Sequence, residues 1–77
     1  MRIYINEHGA KVGISNGKLV VSKNGVKLKS LPAELAESLL VSSSVQITSQ
    51  ALVFLSSRNT SVSWISDQGK QYPKLKL

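Results

Sequence analysis

The stretch Leu39–Ser66, LLVSSSVQITSQALVFLSSRNTSVSWIS, decides how this chain folds. Two short apolar runs, Leu39–Val41 and Val45–Ile47, flank a polar turn at Ser42–Ser44. Thr48 then stands where a helix N-cap is wanted, because its hydroxyl can accept from a backbone N–H left over in the first turn. Ala51, Leu52, Phe54, Leu55 and Arg58 follow at helical spacing. With Val53 added the helix is apolar nearly all round, which predicts burial on more than one side. Asn59 suits a left-handed exit, and Ser61–Ser66 alternates Val62 and Trp64 against serines. A strand, a helical crossover and a second strand of this length predict two parallel, adjacent strands.

Ahead of this segment the chain reads as a meander. Arg2–Asn6 alternates with Ile3 and Ile5 on one side, and Glu7-His8-Gly9 turns the chain. Ala10–Ser15, Lys18–Lys23 and Val26–Leu31 are separated by Asn16-Gly17 and Asn24-Gly25. Asn-Gly is the composition of a two-residue hairpin loop, because both loop positions need positive φ. Two-residue loops also fix register, and directly opposed residues share a face. One predicted face carries Ala10, Val12, Ile14, Leu19, Val21, Val26 and Leu28 and belongs in a core. The other carries Lys11, Lys18, Lys27 and Lys29 around Gly13, Ser15, Val20 and Ser22, with no acid among them. Pro32 and Glu34 then suit a single helical turn. The expected fold is mainly β of the α+β kind, with two small sheets, an antiparallel three-stranded meander and one strand-helix-strand crossover.

Composition narrows the function. Seventy-seven residues make one small domain, whose core alone yields only about 3–5 kcal/mol. With no cysteine, neither a disulfide nor a thiolate metal site is available, and a cytoplasmic setting is expected. One histidine and four acids are too few and too scattered for structural zinc. No apolar run is long enough to span a membrane. Ten basic residues against four acidic ones point to a polyanionic partner, nucleic acid first. The lysine face then reads as a flat surface for phosphate backbone, which is also the pattern of the solvated side of a half-buried sheet. It has no interleaved aromatics, so it would read charge and shape rather than bases. Lys11, Lys18, Lys27 and Lys29 are the candidate phosphate contacts, with Arg58 and Lys70 beside them. No catalytic residue is expected: Glu34 and Glu37 are an exposed helical pair, and Ser42–Ser44 has no neighbouring base to activate a serine. The apolar Leu75 and Leu77 at the C-terminus suggest a domain boundary.

The pattern LLV-x-x-x-VQIT-x-x-AL-x-x-L, followed by VSWIS and a glycine turn, resembles the N-terminal β-domain of the CRISPR-associated integrase/endonuclease of spacer acquisition. The positions that carry it are Leu39, Leu40, Val41, Val45, Gln46, Ile47, Thr48, Ala51, Leu52, Leu55, Val62, Trp64, Ile65, Ser66 and Gly69. In that family a glutamate, a histidine and a further acid hold a divalent metal, Mg or Mn, in a helical domain that follows the β-domain. The resemblance therefore implies that residues 1–77 are the non-catalytic part of a longer metal-dependent enzyme. Its implied partners are a second copy in a homodimer, duplex DNA and the small second adaptation subunit, with no cofactor held by this chain. Two other readings are open on the residues alone: a standalone basic β protein that binds nucleic acid, and a protein-interaction module.

Overall fold

A computed structural model describes residues 1–65 of the chain. The expected turn at Asp67–Gly69, the tail from Lys70 and the end of the last strand at Ser66 lie outside the described residues. The elements are β1 (Arg2–Ile5), β2 (Lys11–Ser15), β3 (Lys18–Lys23), β4 (Val26–Pro32), a short 3₁₀ turn (Ala33–Leu35), β5 (Ser38–Ser42), β6 (Gln46–Ile47), α1 (Ser49–Ser57) and β7 (Ser61–Ile65). They form a three-stranded sheet of order β1-β5-β7 and a four-stranded sheet of order β4-β3-β2-β6. The first sheet is parallel throughout, and β5 and β7 are the adjacent pair joined through α1. The domain is mainly β, as its alternation predicts.

Both hairpin turns take left-handed backbone at both loop positions: φ is 51° at Asn16 and 74° at Gly17, then 53° at Asn24 and 78° at Gly25. This conformation is cheap for Asn and Gly and costly for other residues, so each turn fixes where its strands begin to pair. The first hairpin keeps the expected register along its length, from Ser15 opposite Lys18 to Lys11 opposite Ser22. The second begins as expected, with Lys23 opposite Val26 and Ser22 opposite Lys27. The register then shifts, so that Val21 faces Lys29, Val20 faces Ser30 and Leu19 faces Leu31.

Leu28 is the extra residue of a β-bulge. The bulge brings Leu31 across from the fully buried Leu19, where it packs against the core. A continuous register would have turned Leu31 outward. Leu28, expected in the core, is 49% exposed at the bulge, and Val26, ahead of it in its expected pairing, is 61% exposed as well. Lys29 lies past the bulge: it leaves the lysine face and joins the side of Val21.

The core lies between the two sheets. Val12, Leu19 and Val21 come from one, Ile5, Leu39, Val41 and Val62 from the other, with Ala10, Val45 and Leu55 closing the ends. The chain changes sheets within Ser42–Val45. From there β6 adds beside β2 in parallel, with Gln46 and Thr48 N–H donating to the carbonyls of Ala10 and Val12, both at 2.9 Å.

Thr48 caps α1 as expected, its Oγ1 accepting from Ala51 N–H at 3.1 Å. At the other end Asn59 takes φ 59°, and the N–H groups of Asn59 and Thr60 donate to Ser56 and Leu55 carbonyls at 3.0 Å. That pair of bonds is a Schellman exit. Thr60 Oγ1, itself buried, donates to the Ala36 carbonyl at 3.0 Å and ties the helix exit to the segment before β5. Only one side of α1 is buried, on Ala51 and Leu55, and Val53 is 67% exposed. An apolar composition therefore does not make this helix buried all round: among the described residues the core receives it on the Ala51 and Leu55 side.

These placements predict separable effects on urea unfolding. Leu55→Ala is expected to cost about 2–5 kcal/mol and Thr48→Ala about 1 kcal/mol. Val53→Ala should stay within about 0.5 kcal/mol. An equal loss for Val53→Ala and Leu55→Ala would contradict the one-sided burial.

Candidate nucleic-acid interface

The outer face of the four-stranded sheet is built row by row. Across it run Lys27, Ser22, Lys11 and Gln46, one from each strand. The next rows are Ser30, Val20 and Gly13, then Pro32, Lys18 and Ser15. Strand spacing puts Lys11 and Lys27 about 10 Å apart, and Lys18 lies four residues along β3 from Ser22, about 13 Å. The three lysines are exposed around the half-buried Gly13, Val20 and Ser22. Their aliphatic stems can lie along this small-residue centre while the ammonium groups stay in water.

The centre of this face is the half-buried Gly13. A Cβ placed on Gly13 would have Thr48 Cγ2 as its neighbour at 3.8 Å, an ordinary contact, and its backbone is not left-handed. Glycine here is therefore not forced by the fold. It leaves the centre of the face open between lysines.

Other expected site residues fall elsewhere. Lys29 lines a shallow cavity of about 220 Å³ with Tyr4–Glu7, Val21 and Leu28, on the opposite side of β4. Arg58 caps the end of α1, its guanidinium carbon 5.6 Å from the centroid of the Phe54 ring. It belongs to the helix rather than to the lysine-bearing sheet face. Lys70 lies outside the described residues. Lys11, Lys18 and Lys27 are thus brought together, and Lys29 and Arg58 are not.

Among the described residues no group of three His, Cys, Asp or Glu could hold a metal ion. Among those residues the N-terminal ammonium pairs with Glu37 at 3.5 Å. No helix of the described residues is long and apolar enough to cross a membrane.

A parallel three-stranded sheet packed on a mixed four-stranded one, with one crossover helix linking β6 to β7, defines a small α+β class of domain. Within that class, the profile of the family described as CRISPR associated protein Cas1 matches residues 3–76. The chain belongs to this family and corresponds to its N-terminal β-domain. The fold is similar to part of a Cas6-RT-Cas1–Cas2 complex, with TM-score 0.89 and 13% identity over 100% of this chain and 23% of that one. It is also similar to the protein of a TtCas1–DNA complex, with TM-score 0.76 and 18% identity over 92% and 27%. A Cas1 protein from Thermotoga maritima gives TM-score 0.78 and 14% identity over 99% and 24%. No curated protein matches the chain. The chain thus spans about a quarter of the solved chains it resembles.

The open centre can be tested without changing charge. Gly13→Ala is expected to fold with unchanged or slightly higher thermal stability, since alanine replaces glycine in a strand with room for the methyl group. A drop of several degrees in the melting temperature would show that the face requires glycine for structural reasons.

Proposed function

We propose that this chain is the dimerisation and duplex-docking domain of a longer spacer-acquisition endonuclease/integrase. The observation that carries the docking half is the lysine triangle of Lys11, Lys18 and Lys27, set on one sheet face with no carboxylate in its rows. Each ammonium that meets a phosphate releases condensed counterions, and that release is independent of sequence. Lysine serves as a point charge here, so the face positions a duplex rather than reading it. A span of about 13 Å matches about four base-pair steps at 3.4 Å each. Family membership supports this reading, as do neighbours whose descriptions include a Cas1–DNA complex and a Cas1–Cas2 complex. The small second adaptation subunit is a partner on the same grounds.

The divalent-metal chemistry implied by the family belongs, in this proposal, to a helical domain outside these 77 residues. Among the described residues no cluster of His, Cys, Asp or Glu could supply its ligands. This domain contributes position: it holds a duplex against the rest of the enzyme.

The dimerisation half rests on β4. Among the described residues this strand is an edge of its sheet, and Val26 and Leu28 stand exposed along it. Open edges with apolar side chains associate unless they are blunted. A second copy of the same edge is the partner this proposal assigns.

Two measurements test these halves separately. Charge reversal of Lys11, Lys18 and Lys27 in the full-length protein should weaken duplex binding equally for unrelated sequences. It should also flatten the slope of log K against log salt by about 0.9 per lost contact. Lys29→Glu, on the other side of β4, should change both far less, and an equal effect at Lys29 and Lys27 would rule out the face. For the edge, Val26→Glu with Leu28→Glu should shift sedimentation toward monomer at unchanged fold. A dimer that survives both substitutions would place its interface elsewhere.

A further inference from the structure

The three-stranded sheet also has an outer face, turned away from the core on the side opposite the lysines. Its rows are Arg2, Ser38 and Ser61, then Tyr4, Leu40 and Ser63. These six residues line a cavity of about 500 Å³. All-parallel sheets elsewhere are covered on both faces and read as continuous apolar runs. Here the inner rows are apolar, Ile3-Leu39-Val62 and Ile5-Val41-Trp64. The outer rows instead carry a guanidinium, a phenol and three serine hydroxyls.

Among the described residues none of these polar groups has a partner in the fold. Arg2 makes no ion pair, and the hydroxyls of Tyr4, Ser38, Ser61 and Ser63 make no hydrogen bond among the described residues. Ser63 is the telling one, because it is only 5% exposed. No side-chain polar atom in the described residues is both sealed from solvent and unpaired. The Ser63 hydroxyl therefore opens onto the cavity, an unspent donor and acceptor at its floor. Glu37 also lines the cavity, but the N-terminal ammonium pairs with it at 3.5 Å, leaving Arg2 as the uncompensated charge.

An apolar cover would strand that guanidinium and those hydroxyls without partners, which is unfavourable. The occupant must be anionic, rich in hydrogen-bonding groups and flat enough to meet a ring. Tyr4 stands 55% exposed in the row beside Arg2 and next to Leu40. An aromatic ring on a sheet face is a stacking platform for an unpaired base, and the cavity volume falls within the range that holds one small ligand.

We infer that the outer face of the β1-β5-β7 sheet binds a single unpaired nucleotide. The base stacks on Tyr4, the phosphate meets Arg2, and the serine hydroxyls bond the sugar or the base edge. This site lies on the face opposite the lysine triangle and does not rest on the duplex-docking reading. The nucleotide can come from a single strand or from a free nucleoside monophosphate.

The test uses the full-length protein with two photoreactive probes, an oligonucleotide of 5-bromodeoxyuridine and 5-bromouridine monophosphate. Ultraviolet crosslinks are mapped by mass spectrometry, and affinities are measured by titration. The expected crosslink falls on Tyr4 or its cavity neighbours. Crosslinking of both probes assigns free nucleotides as well as strands, and crosslinking of the oligonucleotide alone assigns strands.

Tyr4→Ala should weaken oligonucleotide binding about 5- to 100-fold, the worth of one base–aromatic stack, while Tyr4→Phe stays within about twofold of wild type. Arg2→Gln should lower the single-strand salt slope by about 0.7. The Lys27→Glu variant should lose duplex affinity and keep the crosslink, so failure of the docking reading is told apart from failure of this one. Should Tyr4→Ala not fold, the wild-type crosslink and Tyr4→Phe still decide. Crosslinks confined to other residues, no crosslink with either probe, or wild-type affinity in folded Tyr4→Ala would overturn the inference.

Discussion

Two peptide hydrogen bonds hold the halves of this domain in one structure. They run from Gln46 and Thr48 N–H to the carbonyls of Ala10 and Val12, and they stitch the two-residue β6 to the edge of the meander. Every later feature takes its position from that seam. Thr48 leaves it already placed to cap α1, and Leu55 then drops onto Val12 and its neighbours in the core. The helix exit returns the chain to the far sheet as β7, beside β5. A short parallel pairing is weak on its own. It survives because both of its flanks bury apolar side chains against the same core.

Much of this was legible in the residues because tight turns and caps leave little freedom. Asn16-Gly17 set the register of five consecutive pairs, and Thr48 and Asn59 marked the helix to within a residue at each end. The bulge was missed because a two-residue turn constrains only the pairs closest to it. A signal for it was nevertheless present in VKLKSLP, Val26–Pro32. Val26 and Leu28 share one parity and Leu31 has the other, so a continuous strand could not turn all three inward. The fold resolves this conflict in favour of Leu31, which meets a fully buried leucine.

The same parity rule explains why the lysine face was only partly legible. Lys11 and Lys18 belong to the hairpin whose register is continuous, and Lys27 lies before the bulge, so their common face follows from the turns. Lys29 lies after it and changes sides. The serine-lined face of the other sheet was not legible at all from the alternation. Pairing of β1 with β5 joins residues far apart in sequence, and neither strand alone shows that Arg2 and Tyr4 stand beside Ser38 and Leu40.

That distant pairing has a kinetic consequence. The meander is assembled from neighbours and can close as soon as its turns are made, whereas Arg2 must wait for Ser38, and β5 in turn for Ser61. During synthesis β1 therefore emerges ahead of the strands it pairs with and is among the last elements of this domain to find its place. Its brevity, four residues with an arginine at the start, limits what it can stick to in the interval. The order of manufacture and the order of folding run in opposite directions through this sheet, and the chain tolerates this by keeping its waiting strand short.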